Sequence, residues 1–118
     1  MIAAPEARLT VQRVAQVGKA LGDGGRVRAL GALRGGELCL CHLTELLELS
    51  PATVSRHMAV LTAAGLVEMR KDGRWHYYRL SRGASPLVRR ALRWACDAVQ
   101  QTPQGKRDAA KVRRLSCS

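Results

Sequence analysis

Cys39 and Cys41 stand one residue apart, just upstream of a segment with the marks of a DNA-reading helix. Thiolates are soft ligands and suit soft acceptors such as thiophilic metals and metalloids. A soft-metal trap beside a nucleic-acid reader suggests a switch in which loading the thiols deforms the reader. A constitutive architectural or RNA-binding protein would account for a basic chain, but not for paired thiols at that place. Cys96 and Cys117 complete a set of four. Pro5, Glu6 and Arg8 interrupt any secretory signal near the start, and no apolar run approaches membrane-spanning length. The expectation is a cytoplasmic protein with no membrane partner. There, cysteines are kept reduced and read as metal-binding or redox residues sooner than as a disulfide framework.

The elements that must position these residues follow from pattern and punctuation. Leu9, Val14, Val17 and Leu21 recur at helical spacing over about residues 7–21, until Gly22-Asp23-Gly24-Gly25 interrupts. A second helix, about 26–33, carries Val27, Leu30 and Leu33 and stops at Gly35-Gly36. A short helix over about 40–47 has Leu43, Leu46 and Leu47 on one face. Ser50-Pro51 then opens a helix as N-cap and first helical residue, and Gly65 closes it. Its inward stripe is Val54, Met58 and Leu61, which leaves Thr53, Ser55, Arg56 and His57 largely outside. Residues 66–70 and 74–80 read as two strands around Lys71-Asp72-Gly73, a strong hairpin signal. Ser85-Pro86 opens a last helix bearing Leu87, Val88, Ala91, Leu92, Ala95, Ala98 and Val99.

Mainly α with a small β-hairpin, this order is the pattern of a winged helix-turn-helix. The capped helix would enter the major groove while the helix before it braces the phosphate backbone. Arg56 has the planar fork that suits guanine or phosphate, and Ser50, Thr53 and Ser55 suit phosphate. His57 has two outcomes open to it, backbone contact or packing near Met58. Arg70, Lys71 and Arg74 on the hairpin are placed for phosphates or an adjacent minor groove. The formal net charge of +11 agrees with a polyanionic partner.

At 118 residues the chain is one domain, with residues 1–101 forming the DNA-binding and sensor unit. Residues 102–118, basic and interrupted by Gln, Gly and Pro, are expected as a flexible tail. The core must be built from Leu, Val and Ala because Phe is absent. A chain this small gains by burying a helix face against a second copy, so a homodimer is expected, with Trp94 and the first helix at its interface. Tyr78 and Leu80 read as structural. No Cys-x-x-Cys beside a βαβ unit, Ser/His/Asp set, paired carboxylates or phosphate loop stands out, so no enzyme is expected.

The run from Glu37 to Leu43 (Glu-Leu-Cys-Leu-Cys-His-Leu) resembles a motif of the ArsR/SmtB family of metal-responsive repressors, best its arsenic-sensing branch. So do Ser50 to Met58 and Gly73 to Leu80. The resemblance covers about residues 21–81. It implies a homodimer that holds double-stranded operator DNA when empty and releases it when As(III) or Sb(III) binds Cys39 and Cys41. His42 stands where the family usually has Asp, Thr44 where some members have a further cysteine, and Gly22–Arg26 replaces the usual Ala-Asp-Pro-Thr-Arg. The last change is expected to loosen the start of the second helix. The family's other sites use His on the last helix or cysteines in the N-terminal arm; neither is present, which favours arsenite or antimonite. Cys117 or Cys96 is left as third ligand, with an exogenous thiol or water as the alternative. Cys96 reads more readily as a small buried hydrophobe, and His42 as a surface histidine unless the ion is zinc. Two residues apart on an ideal helix, side chains diverge by about 200°, so metalloid loading is expected to unwind the helix start. A redox-sensing repressor using the same thiols is the alternative.

Overall fold

The computed structural model describes residues 9–115. Thr10 caps the first helix, α1 (Val11–Ala20), by accepting a hydrogen bond from the Arg13 amide. The glycine cluster that follows does not loosen the second helix. Asp23 caps it by accepting from the Arg26 amide, and α2 (Gly24–Leu33) begins two residues earlier than the apolar spacing indicates. A short strand, β1 (Leu38–Cys39), leads directly into α3 (Leu40–Leu47). Ser50 caps the next helix, α4 (Pro51–Ala63), and Gly65 in the left-handed region (φ 76°) ends it, as a residue without Cβ does most cheaply.

The hairpin of β2 (Val67–Asp72) and β3 (Trp75–Leu80) is antiparallel, with Asp72 opposite Trp75 across a tight turn. β1 adds a third strand with Leu38 opposite Tyr78 and Cys39 opposite Tyr77, giving the sheet order β1-β3-β2. Two residues carry too little periodicity to announce a strand, which is why spacing alone shows only the hairpin.

The apolar stripes converge on one core. Leu30, Leu43, Leu46, Val54, Met58, Leu61 and Leu66 are almost wholly buried, joined by Val88, Leu92 and Ala95 of α5 (Pro86–Gln100). Tyr78 closes that core from the sheet, and Leu80 packs against it. Among the described residues no helix is long and apolar enough to cross a membrane.

Residues 103–115, expected as part of a flexible tail, form a sixth helix, α6 (Pro103–Leu115). Thr102 starts it by accepting from the Gly105 amide, so Thr102-Pro103 repeats the cap-then-proline signal of Ser50-Pro51 and Ser85-Pro86. Gly105 marks close packing: a Cβ there would collide with the Val99 carbonyl where α6 folds back on α5. Buried Asp108 receives two hydrogen bonds from Arg28 of α2, at 2.8 and 3.0 Å. Lys111 reaches the Glu45 carbonyl at 3.0 Å and the Glu48 carboxylate at 3.3 Å. α6, with five basic residues and one acidic, therefore docks through that acid, through Lys111 and through a few apolar contacts.

Candidate functional site

Cys39 and Cys41 meet at the junction of β1 and α3. Cys39 has extended backbone (φ −82°, ψ 162°) and is the N-cap of α3, its Sγ accepting from the His42 amide at 3.4 Å. Cys41 lies in the first helical turn. The divergence of side chains two apart therefore does not apply, because only one of the pair is helical, and the sulfurs come together with α3 intact through Leu40–Leu47. The unwinding expected from ideal helix geometry is not required. In the structure the two are joined as a disulfide. Cys39 is buried and Cys41 exposed, so the pair is reachable from solvent on one side.

The junction also gathers a residue that spacing discounts. Ligand atoms of Cys39, Cys41 and His42 lie within 4.8 Å of one another. N-cap, second and third helical positions crowd around the first turn, so the signal was the cap rather than the histidine itself. The exposed N–H groups and dipole of that turn favour an anionic ligand there, which suits a thiolate.

Cys96 lies elsewhere. Its thiol is buried, donates to the Leu30 carbonyl at 3.5 Å, and has its pKa pushed up by that burial. A thiol kept protonated inside the α2–α5 contact behaves as a small hydrophobe. Cys117 lies outside the described residues.

The candidate reading surface is built on α4. Ser50 Oγ donates to Thr53 Oγ1 at 2.9 Å, and Arg56 donates to the same oxygen at 3.2 Å, so the first turns of α4 carry a linked polar row. Ser55 and Arg56 are exposed. His57 turns the other way: its side chain is 16% exposed, with Nε2 3.5 Å from Asp23 and Nδ1 3.2 Å from Arg26. It ties α4 to the start of α2. Burial pushes the Asp23 pKa up, but the Arg26 amide together with the positive fields of His57 and Arg26 pull it below the ordinary carboxylate value.

On the hairpin, Lys71 and Arg74 are exposed near the tip, with Arg74 beside the Trp75 ring. Arg70 makes a two-pronged contact to Glu37 at 3.0 and 2.8 Å and lies over Tyr77. Glu37 precedes β1, so the hairpin is tied to the cysteine-bearing segment by this ion pair as well as by the β1–β3 ladder.

Residues 23–69, from the cap of α2 to the middle of β2, match the family model described as bacterial regulatory protein, arsR family. The arsenical resistance operon repressor of Staphylococcus aureus is 38% identical over 73 residues, 62% of this chain and 70% of that one. The chain belongs to the ArsR family. Arsenic resistance transcriptional regulator ArsR1 of Pseudomonas putida is 44% identical over 84 residues, covering 70% of this chain and 66% of that regulator's length. The homodimeric winged helix-turn-helix DNA-binding domain of a possible ArsR-family regulator from Mycobacterium bovis superposes with TM-score 0.65 at 27% identity, covering 84% of this chain and 90% of that one. This ArsR-family chain thus has the winged helix-turn-helix of a transcription regulator, in a family of regulators rather than enzymes.

Proposed function

We propose that this chain is a homodimeric repressor that holds operator DNA in its empty, reduced state and lets go when As(III) or Sb(III) bridges Cys39 and Cys41. The observation that carries the reading is the meeting of the two sulfurs at the β1–α3 junction. That junction is hydrogen-bonded to the wing strand β3 on one side and continues into the bracing helix α3 on the other. Arsenite condenses with the two reduced thiols, each S–H proton leaving as water with one arsenic-bound hydroxyl, and the arsenic keeps its third oxygen or exchanges it for a third thiol. Imidazole is a poorer partner for so soft an acceptor, so Cys117 or a small exogenous thiol takes that third position and His42 stays outside the coordination. Bridging draws the Cys39 sulfur from the His42 amide and re-aims the first turn of α3. Wing and α3 then shift relative to α4, which spoils the spacing of two reading heads across a dimer.

On DNA, Arg56 contacts a base edge or phosphate, Ser50, Thr53 and Ser55 grip phosphates, and Lys71 and Arg74 meet the backbone beside the wing. Arg70 joins them only by giving up Glu37, and His57 holds α4 against α2. The relatives named for arsenical resistance support the choice of inducer.

The test is fluorescence anisotropy of the reduced protein on its own upstream DNA, titrated with arsenite at fixed salt, beside Cys39→Ser/Cys41→Ser. Release of the parent but not the variant is expected. Tight binding by both, indifferent to arsenite, would sink the metalloid reading. The pairing of Cys39 with Cys41 favours one second reading. A peroxide-class oxidant would take two electrons and two protons from the thiols and trigger the same release through the disulfide. Release by oxidant alone, reversed by a thiol reductant, would decide for it.

A further inference from the structure

Glu37 precedes β1 and Arg70 lies on β2, so their ion pair joins residues on either side of the middle strand β3. In the sheet register Cys39 stands opposite Tyr77, and Tyr77 stands opposite Arg70, which makes one row across all three strands. The Arg70 guanidinium lies over the Tyr77 ring, 4.5 Å from its centre, and donates to both Glu37 carboxylate oxygens at 3.0 and 2.8 Å. A row that begins at Cys39 is thus closed by a side chain that returns to the residue two places before it. The Arg70 hydrogen bond, aided by the fields of Arg70, Arg79 and Arg82, outweighs desolvation and holds the Glu37 carboxyl below its ordinary value. The pair is therefore charged near neutral pH.

β1 by itself is a weak fastening, with two residues and two register pairs to β3, shorter than strands usually are. Exposed ion pairs add little to stability, but a two-pronged arginine–carboxylate contact fixes direction as well as distance. Arg79 and Glu68 form a comparable pair at 2.8 Å that joins β3 to β2 without reaching β1. We infer that Glu37 and Arg70 are positioning residues of the switch: their strap makes the cysteine segment and the hairpin move together, so that a displacement at Cys39 is carried into the wing. This role rests on the metalloid-release reading and names the contact that transmits it. Neither residue ligates the metalloid. Without the strap, β1 shifts along β3 while the hairpin stays in place.

The experiment uses the full-length reduced protein and reads two quantities. Calorimetry measures arsenite loading off DNA, and anisotropy measures the ratio of operator Kd with and without saturating arsenite. Glu37→Gln, Arg70→Gln and the double variant are compared with the parent, beside Glu68→Gln for the hairpin pair that does not reach β1. All are expected to load arsenite as the parent does. The ratio falls roughly fivefold in Glu37→Gln and in Arg70→Gln, within the range for residues that carry coupling. It falls no further in the double variant, since both act through one contact, and Glu68→Gln keeps the parent's ratio. A full ratio in Glu37→Gln, weaker loading off DNA, an additive loss in the double variant or the same loss in Glu68→Gln would overturn the inference, while release of the parent still upholds the repressor reading. A parent that loads arsenite and keeps its operator would instead remove the metalloid reading, and this role with it.

Discussion

Glu48 adopts the left-handed conformation (φ 57°, ψ 40°) at the turn between α3 and α4. A side chain there costs about 1–2 kcal/mol that glycine avoids. Its carboxylate is well exposed, so the contact with Lys111 returns little. Glu48→Gly is expected to raise stability by about 1 kcal/mol and the melting temperature by several degrees. A lower Tm in a thermal melt would mean that the turn needs the glutamate. The second residue of interest is His42, near both sulfurs yet assigned no coordinating role. His42→Ala should leave arsenite-driven release unchanged in the anisotropy assay, and a variant no longer released would bring the imidazole into the site.

At the scale of elements, α6 is held by a partly buried ion pair. Burial pushes the Asp108 pKa up, but hydrogen bonds from Arg28 and Gln104 outweigh it and hold the carboxyl below its ordinary value. Asp108→Asn keeps the shape and removes the charge, and is expected to cost about 1.5–3 kcal/mol by urea unfolding near neutral pH. Because the folded-state pKa is depressed, this stabilisation is complete above the ordinary carboxylate range and is lost as pH falls through the folded value. Parent and variant should converge in acid. A gap that stayed constant down to that range would mean the aspartate contributes by packing alone.

Across the whole molecule, the described surface leaves several large apolar side chains uncovered, some of them on α1 and α5. Val11 and Val14 of α1 are 81% and 48% exposed, and Trp94 of α5 is 63% exposed. A second copy seated on α1 and α5 is the expected cover for these side chains, and the relative from Mycobacterium bovis is homodimeric. Trp94→Glu is expected to weaken the dimer by about 2 kcal/mol or more, as loss of a central aromatic anchor does. Sedimentation should then show monomer at concentrations where the parent is dimeric, and operator affinity should fall with it. A variant that remains dimeric would place the interface elsewhere. With a formal charge of +11, operator binding is expected to be steeply salt-dependent, so both proteins must be compared at one ionic strength.

Local signals were enough for most of the architecture. Ser50-Pro51 with Gly65 bounded α4 nearly to the residue, Asp72-Gly73 placed the hairpin turn, and the leucines of α3 announced its buried face, because caps, turns and periodicity are written in neighbouring residues. Cys39 and Cys41 were visible as a candidate trap for the same reason. Partnership across the chain was not visible. The two-residue β1 exists only because β3 offers it a ladder, and α6 is ordered through Arg28, separated from Asp108 by 80 positions. His57 points inward because Asp23 and Arg26 are there to receive it, and Arg70 is engaged because Glu37 faces it. The sulfurs meet without unwinding because pairing with β3 holds Cys39 extended at the helix cap. Sequence by itself marked most of the segments that fold and the candidate chemistry they carry, though neither β1 nor α6; tertiary packing decided where polar side chains spend their hydrogen bonds, since that depends on partners distant in the chain.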